Sequence, residues 1–118
     1  MKALYEEYKI ILERKAGQFD ETGKSYTKYL FREGINKILK KIGEETAELI
    51  IAAKDASMGS GAESSETLVV EETADLLYHV LIMLAELNIP LADVEAELEE
   101  RARTAGNLKE LKETDRNT

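Results

Sequence analysis

Residues 35–55 read INKILKKIGEETAELIIAAKD, and residues 67–87 read TLVVEETADLLYHVLIMLAEL. These two stretches decide the fold class. In the first, Ile35, Ile38, Leu39, Ile42, Leu49 and Ala53 fall on one broad face when placed at about 100° per residue. In the second, Leu76 to Leu84 is apolar almost all round, apart from Tyr78 and His79. A helix greasy on every side lies centrally in a bundle or at a subunit interface. Both stretches also carry acids. Glu44, Glu45 and Glu48 adjoin the apolar face of the first, and Glu71, Glu72 and Asp75 cluster on the second, one turn before His79.

Outward from these two segments the chain stays helical. Lys2 to Lys15 carries an apolar stripe of Leu4, Tyr8, Ile11 and Leu12. Residues 17–25 form a polar loop with two glycines. Ser25 or Thr27 caps a short helix that runs through Arg32 and is interrupted by Gly34. Residues 56–66, ASMGSGAESSE, are expected to be a flexible linker between the acid-bearing helices. Pro90 suits the first turn of a last helix that extends to about Thr104. One Pro, seven Gly and little strand-like alternation give an all-α reading. We therefore expect a bundle of four main helices over residues 1–106, its core completed by homo-oligomerisation. A polar tail occupies 107–118.

Composition narrows the function. The 118 residues fit one domain, with 43% hydrophobic and 34% charged residues. There is no Cys, so disulfides and thiolate metal sites are excluded. The N-terminus lacks the apolar core of a signal peptide, and no apolar run is long enough to span a bilayer. A cytoplasmic protein with no membrane partner is expected. A formal charge of −8 argues against nucleic-acid binding, which needs a cationic surface.

Carboxylates repel one another and resist burial, so acids concentrated on core-forming helices point to a bound cation. All-oxygen ligands point to a hard ion such as Mg²⁺. The plain alternative is a solvated helix face, which is how Glu95, Glu97, Glu99 and Glu100 are read. Three features favour a site. Glu44 and Glu48 are a like-charge i,i+4 pair. Lys37, Lys40 and Lys41 precede the acids, against the helix dipole. The two clusters can face each other across neighbouring helices. His79, the single histidine, reads as the internal hydrogen-bond partner of a carboxylate rather than as a proton shuttle.

These residues also resemble a known family. SYTKYLFREGINKILKKIGEETAELIIAAK (25–54), followed by VVEETADLLYHVLIML (69–84), is similar to the phosphoribosyl-ATP pyrophosphohydrolase family of histidine biosynthesis. The acids Glu44, Glu45, Glu48, Glu72 and Asp75 match the wider all-α nucleoside-triphosphate pyrophosphohydrolase superfamily. Ser25-Tyr26-Thr27, Leu30-Phe31, Gly34, Lys40-Lys41 and Leu77-Tyr78-His79 add the narrower signature, which spans about residues 1–104. The 58–65 segment is longer, and the tail from Asn107 less basic, than the family pattern.

The resemblance implies Mg²⁺-dependent hydrolysis of 1-(5-phosphoribosyl)-ATP to the corresponding AMP compound and pyrophosphate. The expected metal ligands are Glu44, Glu45, Glu48, Glu72 and Asp75. Glu45, Glu48 and Glu72 are the expected catalytic carboxylates, Glu72 serving as ligand or as base for the attacking water. Arg32, Lys37, Lys40 and Lys41 are candidate phosphate contacts, the alternative being solubilising charge paired with Glu44 and Glu45. Ser25, Tyr26 and Thr27 contact the nucleotide by resemblance, the alternative being helix capping. Rival readings are a house-cleaning nucleoside-triphosphate pyrophosphohydrolase acting on dUTP-like substrates, and a non-catalytic helical dimerisation module.

Overall fold

The structure, a computed structural model, describes residues 2–17, 25–59, 63–104 and 114. It contains five α-helices in the order α1 (Lys2–Lys15), α2 (Tyr26–Glu33), α3 (Ile35–Ser57), α4 (Glu63–Glu86) and α5 (Leu91–Arg103). No strand occurs among the described residues. Helices α3 and α4 pack against each other along an antiparallel hairpin, α1 packs on α4 and α2, and α2 packs on α3.

The core sits where the open end of that hairpin meets α1 and α2. Ile11, Leu30, Ile38, Ile82 and Ala85 are fully enclosed, with Tyr8, Leu81, Leu84 and Leu91 around them. Each large aliphatic side chain here contributes about 1.5–3 kcal/mol by leaving water.

Three joints fix how the helices meet. Ser25 caps α2, its Oγ accepting from the Lys28 amide at 3.2 Å. Thr27, the other candidate cap, lies inside the helix and is buried. Gly34 separates α2 from α3 with φ 91° and ψ −173°, a conformation essentially reserved for glycine. Its N–H closes α2 on the Leu30 carbonyl, and its carbonyl accepts from Ile38 as α3 begins. The end of α4 is a Schellman turn: Asn88 takes φ 58°, Ile89 N–H reaches Leu84 O and Asn88 N–H reaches Ala85 O. The middle and the end of α1 are tied to this turn, because Tyr8 donates to Ile89 O at 2.7 Å and Lys15 Nζ to Ala85 O at 2.7 Å.

Two expectations need correction. The linker expected over 56–66 is mostly helix, since α3 continues through Ser57 and α4 begins at Glu63. Ala, Ser and Glu are tolerated in helices when a packed partner helix extends them, and Gly59 at φ 68° ends the run. Residues 60–62 lie outside the described residues, as do 18–24 of the polar loop and nearly all of the 107–118 tail. Pro90, expected within the first turn of the last helix, instead stands just before α5 at its N-cap position.

Candidate active site

The acids of α3 and α4 come together where the hairpin faces pack. Carboxylate oxygens of Glu45, Glu72 and Asp75 all lie within 4.8 Å of one another. Glu45 is only 7% exposed. Glu45 Oε2 and Glu72 Oε2 are buried and have no hydrogen-bond partner among the described residues. A buried carboxylate oxygen left without a donor costs free energy. Burial, then Glu48 and Asp75, hold the Glu45 carboxyl above the ordinary carboxylate range, while His79 and Lys41 oppose the shift. Burial and a hydrogen bond with Glu48 do the same to Glu72. Three mutually repelling acids, two of them with idle buried oxygens, form a donor set that fits a hard divalent cation.

Glu48 is exposed and stands against Glu72. Glu44 is not among these three and pairs with Lys41: its Oε2 is 3.1 Å from Lys41 Nζ, and that contact draws its carboxyl below the ordinary value. The same ammonium is 3.9 Å from Glu45 Oε1, so Lys41 borders the acids rather than facing solvent alone. Lys37 Nζ lies 5.9 Å from the centre of the Tyr29 ring. Lys40 and Arg32 are exposed.

His79 is buried at 5% exposure, and its partners differ from the expected carboxylate. Its Nδ1 lies 2.7 Å from the Asp75 main-chain carbonyl, which can only accept, so Nδ1 carries the proton. In the neutral ring Nε2 then accepts, and the Tyr26 hydroxyl donates to it at 2.8 Å. The i,i+4 spacing of Asp75 and His79 carries the signal for the carbonyl bond; the Tyr26 bond joins distant parts of the sequence and leaves none. Burial raises the Tyr26 phenol above its usual value, and Lys41 works against it. Thr27 is buried with its hydroxyl on the Tyr78 hydroxyl. Ser25 is half-buried and occupied as the α2 cap. Asp75 is exposed.

The sequence profile described as "Phosphoribosyl-ATP pyrophosphohydrolase" matches residues 5–102. A phosphoribosyl-ATP pyrophosphatase of Listeria welshimeri is 47% identical over 91 residues, covering 77% of this chain and 80% of that protein. One from Listeria monocytogenes is 42% identical over 93% of this chain and 92% of its own length. One from Bacillus cereus is 44% identical over 92% of this chain and 91% of its own.

Proposed function

The chain belongs to the phosphoribosyl-ATP pyrophosphohydrolase family, and we propose that it works with a divalent metal ion, Mg²⁺, held by Glu45, Glu72 and Asp75. It is a hydrolase of histidine biosynthesis that splits 1-(5-phosphoribosyl)-ATP into the AMP compound and pyrophosphate. The observation that carries the metal reading is the pair of buried, unpartnered oxygens, Glu45 Oε2 and Glu72 Oε2, beside a third carboxylate. When bound, such an ion supplies charge neutralisation for phosphate oxygens and a water of lowered pKa.

The side chains divide the remaining work. Glu48, exposed and next to Glu72, takes the proton of the attacking water on its carboxylate. Lys41, steadied by Glu44 and Glu45, meets the phosphates at the edge of the site. Tyr26 is fixed by His79 with part of its ring exposed, which suits it to contact the nucleotide. Lys37 and Lys40 extend the positive edge along α3. The reaction is tested by pyrophosphate release from phosphoribosyl-ATP, run beside dUTP and ATP. Release confined to phosphoribosyl-ATP separates this reading from a house-cleaning enzyme.

Metal binding has a pH signature. The Glu45 and Glu72 carboxyls titrate higher folded than unfolded, so the folded state holds more protons between the two values. Metal-free stability is therefore full below the ordinary carboxylate pKa and falls as pH rises through the raised values. A cation binds the deprotonated site, so its stabilisation grows in the same direction. We expect Mn²⁺ or Mg²⁺ to raise Tm more at pH 7.5 than at pH 5. Equal shifts at both pH values would remove the ion from these carboxylates.

The uncovered apolar surface supports a homodimer or larger assembly. Ile50 is 63% exposed, Ile51 61% and Val70 67%, all on the α3–α4 hairpin. An open apolar cavity of about 390 Å³ lies between α1 and α4, with Leu4, Ala74, Leu77 and Leu81 on its wall. Apolar surface of this kind marks an interaction site. Ile51→Glu is expected to shift the sedimenting species to smaller mass, and an unchanged mass would exclude this face from the interface.

A further inference from the structure

A second charged feature lies away from the acids. Arg14 and Lys15 in the last turn of α1, with Lys28, Phe31 and Arg32 on α2, line a cavity of about 330 Å³ that Gly17 borders. Four cationic side chains thus surround one hollow on a chain of net charge −8. Outside the hollow some cations pair with acids, Lys2 with Glu6, Lys41 with Glu44, Arg101 with Glu97 and Arg103 with Glu100, while Lys9, Lys37, Lys40 and Lys54 make no ion pair with a described residue. Arg14, Lys15 and Arg32 make no ion pair with a described residue. The C-terminal dipoles of α1 and α2 favour a positive charge in their last turns. They do not account for all four side chains meeting at one cavity.

The walls of this hollow are held in place. Lys15 Nζ bonds Ala85 O and, at 2.9 Å, Asn88 Oδ1, and it lies 6.0 Å from the centre of the Phe31 ring. Lys28 Nζ donates to Gly17 O at 3.1 Å. Arg14 Nη1 reaches the Tyr78 hydroxyl at 3.5 Å. Donors already held in position lose little freedom when an anion arrives, and guanidinium groups match phosphate geometry.

The hollow is also coupled to the acid site. Two adjacent hydrogen bonds join α2 to α4: Tyr26 to His79, and Thr27 to Tyr78. The first borders Glu45 and the second ends on Arg14. An acidic and a basic site therefore flank one short, doubly bonded helix contact.

Phosphoribosyl-ATP has two separate anionic groups. Its triphosphate suits the acids once a metal intervenes. The phosphomonoester on its second ribose needs cations of the protein's own. We propose that the hollow bounded by Arg14, Lys28 and Arg32 binds this terminal phosphomonoester and so selects the phosphoribosyl arm of the substrate. This inference rests on the phosphoribosyl-ATP reading above.

The test compares phosphoribosyl-ATP with ribosyl-ATP, the same molecule lacking that one phosphate, using the full chain with Mg²⁺. The wild type is expected to show a KM about ten- to a hundredfold lower for the phosphorylated substrate. Arg32 is exposed, so Arg32→Ala keeps the fold, which circular dichroism verifies. That variant is expected to lose most of the preference by raising KM for phosphoribosyl-ATP alone, with kcat little changed. Arg32→Lys restores part of it, and ribose 5-phosphate inhibits the wild type competitively but the Ala variant about tenfold less. If Arg32→Ala and Arg14→Ala both retain the full preference, the phosphomonoester site is overturned and the hydrolase reading stands. If the wild type releases no pyrophosphate from phosphoribosyl-ATP, the hydrolase reading fails and the site falls with it.

Discussion

Glu45→Gln is expected to abolish turnover and to make the metal-free protein more stable. The two effects have one cause. Glu45 is a buried acid whose Oε2 has no hydrogen-bond donor and whose neighbours Glu48 and Asp75 repel it. An amide keeps the shape and removes the repulsion, so Tm without metal should rise. The same change deletes a charge from the proposed ligand set. Loss of one preorganised electrostatic element at a reaction centre costs roughly 10²–10³-fold in kcat, and loss of a metal ligand at least that. Asp75→Asn should lose activity similarly, with a smaller rise in Tm because Asp75 is exposed. Pyrophosphate release and thermal melting in chelator measure the two quantities on the same samples. A Glu45→Gln protein of wild-type rate would place the chemistry elsewhere. One that melts lower without metal would mean that Glu45 stabilises the fold.

Ile82→Ala is expected to cost about 3–4 kcal/mol, because the side chain is completely enclosed and its loss leaves a cavity. That is a large part of the stability of a domain this size. Ile82 lies on α4 among Ile11, Leu30 and Ile38, which come from α1, α2 and α3. One deletion therefore loosens all four helices together. Urea unfolding should show a lower midpoint with an unchanged slope. Lys9→Ala, on α1 and exposed, is the control and should cost under about 0.5 kcal/mol. A small loss at Ile82 would mean that the core lies elsewhere.

Helical periodicity made the long helices legible, because Leu, Ile, Ala, Glu and Lys in these spacings have few other ways to bury an apolar stripe. Gly34 was legible as an interruption, but its positive φ and its role as a one-residue corner belong to the folded backbone. The start of α4 is not legible in the sequence, because Ser and Gly near the hairpin end suggest a loop. The helix begins at Glu63 all the same.

By itself the sequence determined that this chain is helical, that acids ride on its two longest apolar segments, and which family signature it carries. Those are properties of residue type and spacing along one chain, and covalent order fixes them. Only the tertiary structure decided which acids meet. Glu45, Glu72 and Asp75 converge while Glu44 turns to Lys41, and His79 rests on Tyr26 and a main-chain carbonyl. The rotation and register of α4 against α3 and α2 select these partners. They are set by how whole side chains such as Ile38 and Ile82 interlock, which no spacing within either helix specifies.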